Sequence, residues 1–475
     1  MDGVKNMKKC IIFGAGYYGQ GACYKLIQYY EILYYADNNA KLWGTEINGI
    51  KVISPEQLAD KFRLEDIDII ICSKAYREIA NQLSQTGIDE YYVMMEGFLY
   101  HCNKVETIMP ATLCQTTYYT KEKRVEKNIL FVQNTACVRT HKIASVMKDR
   151  GYKVFLLYMI SPPVEHYKIY ESVYNGIFTV FTMNELLDFV NNSEFDLIHS
   201  SNEPDLLTNI LIQSDKKVVF DVHDTMSIRS QVDMDEMTLE FIANKKSRGV
   251  IYTSKQIADL AEKRYLIEKN KIFVLENLPQ RQENIEKRYE KLSADDHEIH
   301  CVYEGGINGL DQKNHRFFEE IWKKIVCLGI HIHFYSQQNI DYCKKLETMS
   351  SYLHYEGSMD SRRLISEMTK YDCGLLIFNV NDSNRIFLES ASQNKMFEYI
   401  NSGLPVLVDE LNSHIKFVEH YGVGKYLDLN GDIRQQIKAV CDIRIPDNFL
   451  QDNALTMQSK GDGLEKFYLR VMAEE

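Results

Sequence analysis

Lys395 and Glu398 stand three residues apart in the stretch NKMFEYINSGLPVLV, Asn394–Val408, and their types suit a ligand that carries both charge and hydroxyl groups. Unpaired backbone N–H groups at the start of a helix attract an anion, and Lys395 adds a formal cation there. Glu398 shares a helix face with Asn394 and can accept hydrogen bonds from both hydroxyls of a ribose whose diphosphate lies at the helix start. A second stretch, Glu304-Gly305-Gly306, follows the short apolar run Cys301-Val302-Tyr303. Its glycines let backbone approach a diphosphate, which Lys313 or Arg316 would neutralise; Lys313 is preferred because it precedes the helix that follows. Arg385 is a further phosphate candidate. His199 ends one apolar run, and Asp221, His223 and Asp224 end another. A third glycine set, GAGYYG with Gly14, Gly16 and Gly19, is followed about twenty residues later by Asp37, as in dinucleotide sites where the acid accepts from a ribose hydroxyl.

These residues need strand ends and helix starts to hold them. Around Lys395 the pattern is a short helix with Met396, Phe397 and Ile400 on its apolar side, a Gly403 cap, then Pro405 opening the buried strand Val406–Val408. Around the front glycines, strand Lys9–Phe13, a helix to about Gln28 and strand Ile32–Ala36 precede Asp37. Asn48-Gly49 marks a turn, and strand Ile67–Cys72, helix Tyr76–Gln85 and strand Tyr91–Met94 complete a small sheet. Asp66-Ile67-Asp68 opens an apolar strand instead of following one, which argues against a metal pair. Residues 96–126 read as a connector. From Asn128 the strand–helix alternation resumes, with strands expected at 154–158, 177–181, 197–199, 218–222, 250–253 and 272–275. After a charged linker it continues with strands at 301–303, 332–335, 352–355 and 374–378. Strands alternating with helices imply parallel sheets covered on both faces, with ligands at the strand C-terminal ends.

NKMFEYINSGLPVLV resembles the donor-binding segment of retaining GT-B glycosyltransferases of the family-four type. YEGGI, YDCGLLIF, DLIHSSNEPD and VVFDVHDTM resemble further segments of that family. The resemblance implies that Glu398 holds the nucleotide ribose and that Gly305, Gly306, Lys313, Asn394 and Lys395 hold the donor diphosphate. His223 then lies near the donor sugar. The family's sugar-contacting Glu falls at Ser390 here, with Glu389 beside it, so Glu389 is the candidate for that role. For His199 the competing reading, a hydrogen-bonded structural histidine, is preferred. Residues 8–95 resemble nucleotide-binding modules fused to bacterial polysaccharide-biosynthesis proteins, in which the bound nucleotide varies.

Composition sets the remaining bounds. A chain of 475 residues exceeds one ordinary core, and its net charge of −12 argues against a dedicated nucleic-acid binder. Eleven scattered cysteines without a CxxC pair read as reduced thiols. No signal peptide is read, and no apolar run approaches the roughly 20 residues of a membrane span. The expected location is the cytoplasm, or its membrane face if the basic segment Lys245–Lys271 meets anionic lipid instead of solvent.

The expectation is therefore an α/β protein of three Rossmann-like parallel-sheet units. They are 1–100 as a nucleotide-binding domain, 101–127 as connector, 128–280 as acceptor domain, 281–297 as linker, and 298–475 as donor domain with a terminal crossover helix. The last two domains form a two-lobed GT-B enzyme that closes over its donor. It moves a sugar from a UDP- or GDP-type donor to a glycan or lipid-linked acceptor, with retention and no metal. Gly14, Gly16, Gly19 and Asp37 would bind NAD(P) or another nucleotide, which transfer itself does not require. Two alternatives stand: an NAD(P)-dependent oxidoreductase or epimerase working through the front unit, and a non-catalytic nucleotide-sensing scaffold.

Overall fold

A computed structural model describes residues 7–27, 29–62, 66–95, 98–101, 118–121, 126–134, 137–158, 172–180, 183–201, 205–229, 234–281, 285–309, 311–391 and 394–473. Three sheets carry the fold, and each is built from short apolar runs whose residues are buried on both faces.

The first sheet runs Glu46–Ile47, Ile50–Ile53, Tyr30–Ala36, Lys8–Phe13, Ile67–Ile71, Tyr92–Met95, Phe98–His101 from edge to edge. Its interior pairs are parallel, and its two edges are closed antiparallel. Asn48 and Gly49 both have positive φ (54° and 74°), the requirement of the tight hairpin turn expected there. The antiparallel strand Phe98–His101 extends this unit beyond the expected connector boundary. Tyr119, also assigned to the connector, instead packs on Phe155 and Phe195 in the second core. An aromatic ring buried against two others is core, so the connector is shorter than sequence suggests.

The second sheet runs Gly176–Thr179, Lys153–Tyr158, Asn128–Gln133, Leu197–Ser201, Val218–Val222, Gly249–Tyr252, Ile272–Val274. The third runs Leu353–Tyr355, Ile330–Tyr335, Ile299–Glu304, Cys373–Leu376, Val406–Val408, Gly424–Tyr426, with every pair parallel. In each sheet the strand order reverses beside the unit's first strand. That reversal opens a crevice at the C-terminal ends of Lys8–Phe13, Asn128–Gln133 and Ile299–Glu304, where open α/β sheets bind ligands.

The chain divides into two compact units, one of Met1–His223, Phe241–Val250 and Tyr468–Glu475, the other of Asp224–Glu240 and Ile251–Phe467. The terminal helix, Met457–Ala473, thus starts in the second unit and ends in the first. Helices Met226–Arg229 and Met234–Lys246 were not anticipated; the second has almost no one-sided apolar face to betray it. The helix after the Gly305-Gly306 loop is Glu319–Val326, shorter than the span from His315 that periodicity suggested.

Candidate functional site

The crevice of the third sheet is built around Glu304, Gly305 and Gly306. Gly305 has φ 121°, a conformation other residues rarely adopt, and its N–H donates to the Tyr335 carbonyl at 2.9 Å. A β-carbon on Gly305 would come within 2.5 Å of Lys395 Cε, and one on Gly306 within 2.5 Å of an Arg316 Nη. Gly305 is required by its backbone conformation, and the tips of Lys395 and Arg316 lie against the space that β-carbons on Gly305 and Gly306 would fill. Tyr303 closes the loop by donating from its hydroxyl to the Gly306 carbonyl at 2.8 Å. Tyr399, on helix Asn394–Asn401, accepts the Glu304 N–H at 3.1 Å, and its ring fits because position 374 is glycine.

Sequence preferred Lys313 as the cation of this loop, and the structure corrects that choice to Arg316. Lys313 is exposed and its carbonyl takes the side-chain N–H of Asn381, whereas Arg316 reaches back over Gly306. Lys395 is buried, 5.4 Å from the Tyr303 ring centroid. Asn394 is exposed at the helix start. Glu398 is half-buried one turn further on.

The electrostatics turn on Glu304, whose side chain sequence reasoning passed over although it ends a strand beside two glycines. Burial, and next the charge and hydrogen bond of Glu398, push its carboxyl well above the carboxylate range. Burial conversely holds Lys395 below its ordinary value, against the pull of Glu304. Burial also drops His315 to about 4, helped by the Arg316 and Lys395 charges, so that imidazole is neutral. Protonation of Glu304 leaves the Glu398 side chain facing Lys395 and Arg316. Glu304 Oε1 and Arg316 Nε are buried with no protein partner among the described residues, and a built crevice leaves such atoms for a ligand or water. Beside it lies a cavity of about 580 Å³ lined by Gly309, Gln337, Asn339, Ile340, Asp341 and Tyr342.

Glu389 is not at this crevice's cations. Its two carboxylate oxygens accept the Asn412 and Ser413 N–H groups at 2.8 and 2.9 Å, capping helix Asn412–Tyr421. Partial burial opposes its ionisation, but those bonds hold the carboxyl below its usual range. The carboxylate expected to meet the donor sugar thus also satisfies two orphan donors of its own chain. Arg385 is likewise engaged, by Glu410.

The second sheet's crevice holds a hub on Asp221, which is fully buried. Arg139 Nη2 donates to Oδ1 at 2.8 Å and Arg139 Nε to Oδ2 at 3.0 Å; His223 Nε2 and His199 Nε2 lie 3.0 and 3.3 Å from Oδ2. His199 Nδ1 is 2.7 Å from the Tyr468 hydroxyl, and burial keeps that imidazole neutral. Burial opposes charge on Asp221 too, yet Arg139 first and His223 next hold its carboxyl far below its usual range. His223 Nδ1 lies 4.0 Å from Cys137 Sγ, and Cys137 in turn caps helix Val138–Asp149 at the Thr140 N–H. Burial works against the His223 imidazolium, but the Cys137 and Asp221 charges raise it to about 10, while His223 draws the Cys137 thiol below its ordinary value. The His223 imidazolium is thus favoured between the Asp221 carboxylate and the Cys137 sulfur. Neither Cys137 nor Arg139 was singled out from sequence.

In the front sheet, Gly14 has φ 110° and a β-carbon on Gly19 would strike the Gly14 carbonyl at 1.7 Å, so both are needed for the turn itself. Gly16 faces open space. Asp37 Oδ2 accepts the Ala15 N–H at 2.7 Å and its Oδ1 the Asn39 N–H at 2.8 Å, so the carboxylate braces the glycine loop. Among the described residues no helix is long and apolar enough to cross a membrane.

Three family models match the chain: C2185-like, N-terminal, over residues 6–94; Glycosyltransferase Family 4 over 138–278; and Glucosyltransferase 3-like, C-terminal domain, over 316–448. No curated protein matches. Among solved structures, Anabaena Alr3699/HepE in complex with UDP-glucose is 13% identical, covers 72% of this chain and 98% of its own, and superposes with a TM-score of 0.50. AviGT4, a glycosyltransferase of avilamycin A biosynthesis, is 11% identical over 74% of this chain and 99% of its own, with a TM-score of 0.46. At such identities the likeness establishes the fold. The two glycosyltransferase domain matches and the GT-B fold together make this protein a glycosyltransferase.

Proposed function

We propose that this GT-B glycosyltransferase moves a sugar from a UDP-type nucleotide-sugar, with a GDP-type donor as the alternative, to a glycan or lipid-linked acceptor of surface polysaccharide. Retention of anomeric configuration and a metal-independent transfer step are part of the proposal. One observation carries it: Lys395 and Arg316 lie on the Gly305-Gly306 loop at a strand-order reversal, with orphaned polar atoms turned to the same place. Two fixed cations there can hold a departing diphosphate, the electrostatic stabilisation that usually dominates catalysis and that a divalent ion supplies in other designs. Glu398, one turn along the helix from Lys395, is placed to accept from ribose hydroxyls. The neighbouring cavity has room for a base. Support for UDP comes from the Anabaena neighbour, which was crystallised with UDP-glucose. His223, as an imidazolium, is assigned to positioning the donor sugar, not to acting as a base. The front sheet is assigned a nucleotide, on the open backbone at Gly16.

Thermal unfolding of the full-length chain with UDP, GDP, UDP- and GDP-sugars and NAD(H), each with and without EDTA, tests this. Ligand at about 100 times its Kd adds roughly 2.7 kcal/mol, several degrees for a unit of this size. A UDP shift that survives EDTA and disappears in Glu398→Ala supports the proposal. A shift from NAD alone, lost in Gly16→Asp, sends the work to redox chemistry and overturns it.

Glu304 adds a pH prediction. Burial and the Glu398 charge keep its carboxyl protonated to higher pH than a free glutamate, and its ionisation as pH climbs cancels one of the two cations. UDP affinity should therefore fall with rising pH in the native protein. Glu304→Gln, which mimics the protonated acid, should bind UDP normally at pH 7 and lose less on going alkaline. Equal pH profiles for the two proteins, measured by calorimetry, would show that Glu304 is not the titrating group.

A further inference from the structure

The third sheet carries four histidines that the transfer reaction leaves unused. His300, His331 with His333, and His354 lie on the adjacent strands Ile299–Glu304, Ile330–Tyr335 and Leu353–Tyr355. The register sets His300 beside His331 and His333 beside His354, and the period of two turns His331 and His333 to the same face. The rings stack accordingly, His300 on His331 at 4.3 Å and His333 on His354 at 4.4 Å between centroids.

Their hydrogen bonding is ordered. His300 Nε2 is 3.0 Å from Asp296 Oδ2, His331 Nε2 2.6 Å from Glu298 Oε2, and His333 Nδ1 2.7 Å from Glu356 Oε1. A ring nitrogen that donates to a carboxylate leaves the other nitrogen of a neutral imidazole with a bare lone pair. His300 Nδ1 and His333 Nε2 are two such nitrogens, and they face each other at 2.9 Å. His331 Nδ1 and His354 Nε2 face each other at 2.8 Å. A His354 Nε2–H donating to His331 Nδ1 satisfies the second contact, whereas two lone pairs at the His300–His333 separation repel unless a proton or a metal ion lies between them. One ring nitrogen of each of His300, His331 and His333 lies within 4.8 Å of the other two, which is ligand spacing. A carboxylate behind each ring is the arrangement that fixes the tautomer and orientation of metal-bound histidines. Neighbouring nitrogens of a tetrahedral zinc site stand about 3.3 Å apart, so the observed pairs need open by only a few tenths of an ångström. His331 retains 14% side-chain exposure, which gives an ion a way in.

We propose that His300, His331 and His333, with His354 beside them, form a binding site for a transition-metal ion of the zinc class, a clasp across three strands of the donor-side sheet. Imidazole sets of this kind suit zinc, cobalt, nickel and copper over magnesium or calcium. His300 precedes Glu304 by four residues on one strand, roughly 13 Å, so this ion stands apart from the cradle and takes no part in transfer. A strand was expected at 332–335, which takes in His333 alone; His331 lies just before it, His300 and His354 come from other strands, and no metal was expected.

The test uses full-length protein stripped with a chelator, then titrated with Zn²⁺ by calorimetry and with Co²⁺ by visible absorption. The expected result is one ion per chain, a tetrahedral Co²⁺ spectrum and a Zn²⁺-dependent rise in Tm. Glu356→Gln should weaken binding about 10–100-fold, the range for losing such a carboxylate. His331→Gln should weaken it further, and His420→Gln, an exposed histidine elsewhere, should leave it unchanged. If His331→Gln does not fold, Zn²⁺ protection of His331 and His354 against histidine acylation, mapped by mass spectrometry, replaces it. No saturable binding, binding unaltered in Glu356→Gln and His331→Gln, or no protection would each overturn the proposal.

Discussion

Lys395→Met should lower turnover by about 10²–10³-fold, the loss typical of removing one preorganised charge-stabilising donor, without lowering Tm. The reason for the first half is geometric: the ammonium lies against Gly305, at the reversal point where the diphosphate is proposed to leave. The reason for the second is electrostatic. Burial holds the amine below its ordinary value, so keeping it charged costs folding free energy that an apolar chain of similar length does not. Lys395→Arg should not rescue, because the lysine chain passes 2.5 Å from where a β-carbon on Gly305 would stand and a planar fork needs more room. The measurement is steady-state transfer alongside thermal unfolding. Turnover within about threefold of native, with native Tm, would remove Lys395 from the cradle.

The largest stability effect is expected at Asp221→Asn. The substitution leaves the Arg139 guanidinium, 6% exposed, without its bidentate carboxylate and strips His223 of its carboxylate partner. Breaking a buried pair on one side costs about 3–5 kcal/mol, because the remaining charge stays in low dielectric without a partner. Urea unfolding of the full chain should show the transition of the unit containing Asp221 moved to lower denaturant, with the later transition unmoved. Replacing both partners, Arg139→Met with Asp221→Leu, should recover a large part of the loss, since no charge is then stranded. A single-mutant loss under about 1 kcal/mol would mean that water reaches the hub and that its burial matters little.

Much of this molecule was readable in advance because its signals are local. Strand Val218–Val222, helix Tyr76–Gln85 and strand Val406–Val408 fall where apolar runs, caps and Pro405 placed them. The glycine turns at Gly14, Gly49, Gly305 and Gly403 take the positive φ that their contexts demand. Helix Met234–Lys246 was missed because its apolar residues are spread around it, and Tyr119 was left in a connector because nothing near it in sequence shows what it packs on.

The residue types at the two crevices were set by the sequence alone: a cation after a helix start, glycines after a strand, a histidine after Asp221. Which of them meet was not. Arg316 displaces Lys313 because the turn after Gly309 brings it back over Gly306, and Glu389 turns to cap a helix that starts 23 residues later in the chain. Glu304 acquires its raised value from burial and then from Glu398, 94 positions away, and His300 finds His333 across a strand pair. Local sequence dictates backbone conformation through sterics and hydrogen bonding over a few residues. Charge, protonation and ligation depend on distances between strands, and only the sheet order sets those.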